Sequence, residues 1–288
     1  MDGRSGVGQL VLVATPLGNL GDLSRRALEV LRDADVVYCE DTRHSRAIFS
    51  AYDIAARGRL KSLHEHNELA QADEVVQRVA AGDLVALISD AGTPGISDPG
   101  SRVVAAVTAA GLNVTTAPGP SAVIAALSIS GLPTERFIME GFLPRKRGER
   151  VQRYDQWRDE QRTIVFFESP QRVTAVLGEL AERYPARRVA VARELTKLHE
   201  EVVRGTLEQV VAELERREVV GEVVVVLEGA SSAGEFDEAL VRAALDDQLS
   251  EGVSTRDAVD YVAATLGAAR RDVYRVALEL RRGGSPSI

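Results

Sequence analysis

The chain has 288 residues, of which 45% are hydrophobic, so it is long enough for two packed domains and too apolar to be disordered. Its formal net charge of −8 disfavours non-specific binding to a long nucleic acid, although a local basic patch is compatible with that charge. The single cysteine, Cys39, excludes an intramolecular disulfide, and the lack of a secretory pattern or a membrane-length apolar run favours a cytoplasmic protein without a membrane partner.

The first part of the chain alternates short apolar runs with helical patterns. Strands are predicted at 9–14, 36–39, 84–88 and 113–116. Apolar residues at helical spacing predict one helix from about Leu23 to Ala34 and another from about Ala72 to the stop signal at Gly82. Unbroken apolar strands that alternate with helices favour a parallel sheet covered on both faces. We therefore predict an N-terminal α/β domain over 8–117.

A rigid turn at Ala117-Pro118-Gly119-Pro120 separates this domain from the remainder of the chain. Further strands are predicted at 137–142, 163–168, 188–193 and 222–229, with helices near 171–183 and 206–217. These elements predict a second α/β domain over 118–230. The segment 231–235 is typical of a linker, and a small helical segment is expected over 236–282.

Ligands of open parallel sheets bind beyond the carboxyl ends of the strands, and an unusual loop, 15–22, follows the first strand. This loop occupies the position of a dinucleotide-binding turn. That turn needs three glycines, whereas the loop has only Gly18 and Gly21, and Pro16 stiffens the loop. An NAD site, a tight turn without a ligand and a differently shaped cofactor loop all remain open for this segment.

The loop SDAGTPGISDPG (89–100) is the most distinctive segment of the chain. Its glycines allow close backbone approach and its prolines fix the path, so it can present Asp90 to a small polar molecule. A purely structural connection is the alternative. A third loop, 118–122, contains Ser121, which either caps the following helix or binds a ligand carboxylate near the helix N-terminus.

Polar residues that suit proton transfer follow several predicted strands. They occur in the segments CEDTRH (39–44), LHEHNE (63–68), FFESPQR (166–172) and ARELTKLHEE (192–201). His64 and His66 form part of a possible metal site, but no further ligand spacing supports it, so we predict no metal. The chain lacks the G-x-S-x-G pattern of a serine hydrolase.

Seven motifs, in this order, resemble the tetrapyrrole-methylase superfamily: VATPLGNLGD, CEDTR, HEHNE, SDAGTPGISDPG, PGPSA, FFESPQR and ARELTKLHEE. The tetrapyrrole enzymes usually show G-x-G-x-G-D in the first loop and G-D-P in the second. This chain has Ala14 to Asn19 and Ser89-Asp90-Ala91 there instead. The resemblance is therefore closest to superfamily members that methylate a cytidine ribose 2′-hydroxyl in 16S ribosomal RNA.

This resemblance implies two α/β domains of the non-Rossmann tetrapyrrole-methylase type, with S-adenosylmethionine in the cleft between them and a small C-terminal helical segment. It also implies a homodimer and the small ribosomal subunit as partner. The positions that it assigns to the cofactor are Pro16, Leu17, Asp90, Thr93, Ser121, Ala122, Phe167 and Leu195, with Glu222 as a further candidate.

A sulfonium methyl group is already activated, so its transfer to a ribose hydroxyl needs in-line placement and removal of the hydroxyl proton. Asp41, Glu65 and Lys197 are the candidate catalytic residues, with His64 beside them, because they lie in strand-end loops. The alternative is that all four are structural hydrogen-bonding residues.

RNA binding requires phosphate contacts, for which Arg43, Arg145, Lys146 and Arg147 are the candidates; ordinary solvated faces are the alternative. Helical patterns at 255–263 and 270–278 have helix-turn-helix spacing, although a plain helical hairpin fits them as well. Two other functions stay open: a methyltransferase for a tetrapyrrole or diphthine-type substrate, and a non-catalytic ribosome-binding module.

Overall fold

Two five-stranded sheets organise the chain in the computed structural model, which describes residues 7–56, 58–230, 238–250, 252–266 and 270–283. The first sheet is parallel throughout, in the order β3-β2-β4-β1-β5. Its strands are β1 (Gln9–Val13), β2 (Val36–Cys39), β3 (Leu60–Ser62), β4 (Leu84–Leu87) and β5 (Asn113–Ala117).

Helices cover both faces of the first sheet, as the alternation of apolar strands and helices predicts. These helices are α1 (Arg25–Asp33), α2 (Thr42–Ala51), α3 (Glu68–Ala80) and α4 (Ser101–Ala109). Successive β2 residues point to opposite sides, so Val37 packs with α1 and α2 residues while Tyr38 packs with α3 and α4 residues. The predicted covered parallel sheet is therefore confirmed.

The second sheet is mixed and has the order β6-β7-β10-β8-β9. Its strands are β6 (Phe137–Phe142), β7 (Thr163–Glu168), β8 (Arg188–Arg193), β9 (Glu201–Thr206) and β10 (Val223–Leu227). Only β6 and β7 pair in parallel, and the other neighbours are antiparallel. The helices that follow β5 or connect these strands along the chain are α5 (Ala122–Ser130), α6 (Arg147–Gln156), α7 (Pro170–Ala181) and α8 (Leu207–Leu214), of which α5 packs on the face that carries Val165 and Val224.

Strands β3 and β9 are not predicted by the apolar patterns, and both lie at a sheet edge. The three residues of β3 are half-buried or exposed, and β9 carries Glu201 and Arg204 among its six residues. An edge strand needs polar side chains because its outer side has no pairing partner, so it lacks the apolar run that identifies a central strand.

Three C-terminal helices, α9 (Glu238–Ser250), α10 (Thr255–Leu266) and α11 (Arg270–Gly283), bury their own apolar cluster. Val241, Val259 and Val273 contribute one residue from each helix to it. The predicted linker 231–235 and the turn at Gly267 lie outside the described residues. The domain boundaries remain predictions. Among the helices that the structure describes, none has the length and apolarity to cross a membrane.

Candidate functional site

A cavity of about 360 Å³ lies beyond the carboxyl ends of β1, β4 and β5. Six of the eight predicted cofactor residues line it: Leu17, Asp90, Thr93, Ser121, Ala122 and Phe167. The predicted residues Pro16 and Leu195 are buried but do not line the cavity, and Leu195 packs in the same apolar cluster as Leu17. The volume is in the range of small-molecule sites, which is about 300–1,000 Å³.

Hydrogen bonds join the three strand-end loops. The amide of Thr15 donates to the carbonyl oxygen of Gly92 at 2.9 Å, and the amide of Gly92 donates back to Thr15 at 3.1 Å. The Thr15 hydroxyl also donates to the carbonyl oxygen of Ser89 at 3.0 Å. The Thr93 hydroxyl donates to the carbonyl oxygen of Pro120 at 2.9 Å, which connects the second loop to the third. The three loops are thereby fixed relative to one another.

Position 92 requires a glycine, because of its backbone conformation and because of the side chain that lies next to it. Its φ of +82° is in the region that glycine adopts without strain, and a Cβ atom there would lie 3.2 Å from Cδ2 of Leu17. The Thr93 position beside it depends on this close approach of the first and second loops. The glycine in the second loop therefore helps to shape the cavity wall.

Glu68 holds the far end of the second loop, a role that the sequence does not reveal. Its side chain is buried, and Oε1 accepts hydrogen bonds from the amides of Gly100 and Arg102, each at 2.9 Å. These amides belong to the first turn of α4, where N–H groups lack partners within the helix. The glutamate at the start of α3 thus caps a different helix through tertiary structure.

Three carboxylates, Glu40, Asp90 and Asp98, form an acidic cluster beside the cavity, of which Asp90 and Asp98 are in its wall. Burial and repulsion from Glu40 and Asp90 raise the pKa of Asp98 from 3.8 to about 6. Burial and repulsion from Asp90 also raise the pKa of Glu40. The Asp41 amide donates to Oδ1 of Asp90 at 3.2 Å, which orients that carboxylate. The cluster favours a ligand with positive charge.

The N-terminus of α5 faces the same cavity through Ser121 and Ala122. Ser121 is the N-cap residue by position, but its side chain makes no capping hydrogen bond. The first amides of α5 consequently have no side-chain acceptor at the cap, and such amides favour a carboxylate. Of the two roles that the sequence leaves open for Ser121, capping is not observed.

The second sheet provides an aromatic wall. The rings of Phe142 and Phe167 are 5.3 Å apart between centroids and tilted by 43°. Phe167 is half-buried against the core, whereas Phe142 is 63% exposed. Glu168 follows Phe167, is buried, and forms an ion pair with Arg172 at 3.0 Å. The sequence patterns assign no individual role to Phe142, Glu168 or Asp98.

Lys197 is connected to the cavity wall through an ion pair. Its Nζ lies 3.1 Å from Glu222, which lines the cavity, and 2.9 Å from Glu194. Its aliphatic stem packs so closely on Gly18 that a Cβ there would be 2.1 Å from Cγ of the lysine. Burial lowers the pKa of Lys197, but hydrogen bonds to Glu194 and Glu222 raise it more, so the net shift is upward and the side chain is a cation.

The loop that carries Lys197 has an unusual backbone. Glu194 and Thr196 have φ angles of +51° and +64°, a region that non-glycine residues and especially β-branched residues avoid. The Glu194 carboxylate accepts a hydrogen bond from the Glu222 amide at 3.0 Å, and this bond helps to hold the conformation. Strain of this kind concentrates at functional sites.

The other candidate catalytic residues do not line the cavity. Asp41 caps α2 and pairs with Arg43 at 3.0 Å, and the hydrogen bonds to Arg43 lower the pKa of Asp41. Glu65 is exposed in the turn before α3. His64 Nδ1 is buried without a hydrogen-bond partner, and its ring is 6.0 Å from that of His66. In the described part of the chain, no three acidic, histidine or cysteine side chains are grouped to hold a metal ion.

The basic residues 145–147 form an exposed surface that follows Phe142 along the chain. Hydrogen bonds fix the backbone of this segment. Arg172 donates to the carbonyl oxygens of Leu143 and Pro144, and Arg150 donates to those of Pro144 and Arg145.

Lys146 pairs with Glu149 at 3.3 Å, and Arg147 pairs with Glu179 at 3.4 Å. The Lys146 pair is exposed on both sides and therefore weak, and the Arg147 side chain is itself exposed although Glu179 is not, so both cations are accessible to phosphates.

Comparison with known proteins gives consistent results. The family model described as Tetrapyrrole (Corrin/Porphyrin) Methylases matches residues 9–211, and the model described as RsmI C-terminal HTH domain matches 235–281. The chain is 44% identical over 277 residues to "Ribosomal RNA small subunit methyltransferase I" of Mycobacterium tuberculosis, covering 96% of both chains.

A relative of the same name from Xylella fastidiosa is 43% identical over 272 residues, covering 93% of this chain and 98% of the relative. Among solved structures, a diphthine synthase superposes with a TM-score of 0.60 at 18% identity, covering 76% of this chain and 90% of that one. At this level of identity the superposition shows a shared fold alone.

Proposed function

Because the chain belongs to the tetrapyrrole methylase family, we propose that it transfers a methyl group from S-adenosylmethionine to a cytidine ribose 2′-hydroxyl of 16S ribosomal RNA. Relatives at 36–44% identity that are named for the ribosomal RNA small subunit support this substrate. The observation that carries the proposal is the cavity, which combines an acidic cluster, a helix N-terminus and an apolar wall.

These three features suit the three parts of S-adenosylmethionine. The amides at Ser121 and Ala122 would hold its carboxylate, and the carboxylates of Asp90 and Asp98 would hold its positive groups. Leu17 and Phe167, among the apolar side chains of the wall, would pack against the adenine. When bound, the molecule supplies a methyl group on a sulfonium sulfur, which is ready for displacement by an oxygen nucleophile.

Lys197 is the candidate catalytic residue that the geometry supports best, because it is ion-paired to a residue of the cavity wall. As a cation it would stabilise negative charge on the ribose oxygen as that oxygen displaces the sulfonium sulfur from the methyl group. The hydroxyl proton passes to a carboxylate, and Glu222, 3.1 Å from Lys197, is the acceptor that we propose. In this proposal Asp41, which caps α2, and the exposed Glu65 take no part in the proton transfer.

RNA would be held by the exposed basic residues Arg145, Lys146 and Arg147, with Arg43 as a further contact. The C-terminal helices, which match a helix-turn-helix model, are a second candidate surface. A homodimer and a cytoplasmic location with the ribosome complete the proposal, and neither has a bearing on the roles assigned to these residues.

Two experiments test this function. Calorimetric titration with S-adenosylmethionine should give saturable binding, and no binding would leave only the non-catalytic module. Small subunits from cells that lack this methylation should then accept labelled methyl groups from S-adenosylmethionine in the presence of the protein. Nuclease digestion should locate the label on a cytidine ribose; label on a base, or transfer only to a tetrapyrrole or a modified protein residue, would overturn the proposal.

A further inference from the structure

Phe142 is an exposed aromatic residue in the cavity wall that the proposed methyl transfer leaves without a role. A single exposed apolar side chain is common on a protein surface, but Phe142 shares this cavity wall with a second one, Ile96, and grouped exposed apolar side chains mark binding sites. One side of its ring contacts Phe167 and the rest of the side chain is open to solvent. A flat apolar surface is therefore available at the cavity.

A β-bulge places Phe142 on the cavity side of β6. In the parallel pairing with β7, Met139 pairs with Val165, but Phe142 rather than Gly141 pairs with Phe167. The extra residue in β6 shifts the alternation, so Met139 and Phe142 share a face although they are three positions apart. In a regular strand Phe142 would share a face with Ile138 and turn away from the cavity.

The bulge lies next to the second loop. Gly141 has a φ of +73°, and a Cβ atom there would lie 3.5 Å from Oγ of Ser97. Ser97 itself has a positive φ of 61°, and its neighbour Ile96 is 50% exposed while it lines the same cavity. A strained non-glycine backbone at Ser97 thus coincides with two exposed apolar side chains, Phe142 and Ile96, at one cavity.

The charge nearby indicates which flat molecule this surface receives. Phe142 is followed after two residues by the exposed residues Arg145, Lys146 and Arg147, and the backbone between them is fixed by hydrogen bonds from Arg172 and Arg150. An aromatic surface beside cations is the combination that binds single-stranded nucleic acid, in which bases stack on rings and phosphates contact the cations. An apolar peptide or an uncharged lipid would not need the cations.

We propose that Phe142 and Ile96 form a stacking platform for the base of the nucleotide whose ribose is methylated. The base must leave its neighbours for the 2′-hydroxyl to enter the cavity, and stacking on Phe142 compensates part of that unstacking. This inference rests on the proposed ribosomal RNA substrate. It adds a positioning residue that acts on the nucleotide and has no contact with the cofactor.

The test compares Phe142→Ala, Phe142→Leu and Phe142→Trp with the wild type, using small subunits that lack the methylation as substrate. Phe137→Ala is the matched control, because Phe137 is an aromatic residue at the other end of β6 and does not line the cavity. We measure kcat/KM for subunits at saturating S-adenosylmethionine, the calorimetric Kd for S-adenosylmethionine, and the melting temperature of each variant.

We expect Phe142→Ala and Phe142→Leu to lower kcat/KM by about 5- to 100-fold, the range for loss of one base–aromatic stack. Phe142→Trp should stay near the wild type because it keeps a π face, and the Kd for S-adenosylmethionine should change less than about twofold in all variants. Wild-type activity for Phe142→Leu would overturn stacking, and a weakened Kd would make Phe142 a cofactor contact instead. If the wild type itself fails to methylate the ribose, the proposed function fails, whatever these variants do.

Discussion

The ammonium group of Lys197 lies between two carboxylates, 2.9 Å from Glu194 and 3.1 Å from Glu222, and only Glu222 lines the cavity. One side chain therefore connects the strained loop after β8 with the wall of the candidate site. This arrangement keeps Lys197 protonated, so it favours electrostatic stabilisation over proton abstraction by the lysine.

Replacement of Lys197 by Met should lower kcat for methyl transfer by about 100-fold or more, because a positioned cation that stabilises a developing oxyanion contributes on that scale. The Kd for S-adenosylmethionine should change little. Lys197→Arg keeps the charge and should retain more activity than Lys197→Met. A Lys197→Met enzyme within a few-fold of the wild type, at an unchanged melting temperature, would exclude Lys197 from catalysis.

Binding of S-adenosylmethionine should weaken as the pH falls through about 6, where Asp98 gains its proton. The ligand has a net positive charge, so it binds better when the carboxylate is ionised, and we expect its Kd to rise about threefold to tenfold from about pH 7.5 to about pH 5. Asp98→Asn should bind more weakly at neutral pH and lose most of this dependence. Calorimetric titration of the wild type and of Asp98→Asn over this pH range measures the Kd of each. If the Kd of Asp98→Asn depends on pH as strongly as that of the wild type, the titration belongs to another group.

The same carboxylate should affect stability with the opposite sign. The pKa of Asp98 is raised in the folded protein. The folded state therefore binds more protons than the unfolded state between pH 3.8 and about pH 6. Its contribution to stability is complete below that interval and is lost as the pH rises through it. Without ligand, Asp98→Asn should therefore have a higher melting temperature than the wild type at neutral pH and little advantage at about pH 4.

Gly92→Ala and Gly111→Ala form a matched pair that separates backbone strain from cavity shape. Both residues have positive φ, +82° and +70°, but only at Gly92 would the new Cβ meet a neighbour, Cδ2 of Leu17. Each change should reduce the free energy of unfolding by about 1–2 kcal/mol, measured in urea. Only Gly92→Ala should also weaken binding of S-adenosylmethionine; equal binding by the two variants would show that the loop contact has no influence on the site.

Salt dependence should identify the phosphate contacts. If Arg145, Lys146 and Arg147 each contact one phosphate, removing all three cations should make the plot of the log of the RNA-binding constant against the log of the salt concentration less steep by about 2. One phosphate contact contributes about 0.7 to that slope. Arg145→Ala alone should remove about a third of that effect. Arg25→Ala is the control, since Arg25 is an exposed cation on α1 outside the cavity, and an equal effect there would indicate non-specific attraction.

Local sequence patterns predict the parts of this protein that depend on short-range rules. The central strands and the loops at their carboxyl ends follow from apolar runs and turn residues, so Leu17, Asp90 and Ser121 could be placed at one edge of the first sheet. In contrast, the motif that contains Asp41 does not reveal which group its carboxylate contacts. In the structure this carboxylate pairs with Arg43, two residues away.

Tertiary contacts determine the rest. The position of Phe142 depends on a bulge in β6, and that bulge lies next to Ser97 of the second loop, a residue far away in the sequence. The upward pKa shift of Asp98 depends on burial and on Glu40, which belongs to a different strand end. Strand β9 is polar because it is an edge, which only the strand order reveals.

The two hydrogen bonds that Glu68 accepts from the start of α4 have a consequence for local opening of the protein. The second loop cannot detach at Gly100 unless the contact with α3 breaks as well, since the glutamate belongs to that helix. We therefore expect the loop and the packed pair α3–α4 to unfold as one cooperative unit, with the amide hydrogens of Gly100 and Arg102 exchanging at the slow rate of the helices. The second loop, although it contains three glycines, should then be protected from hydrogen exchange as well as the core is.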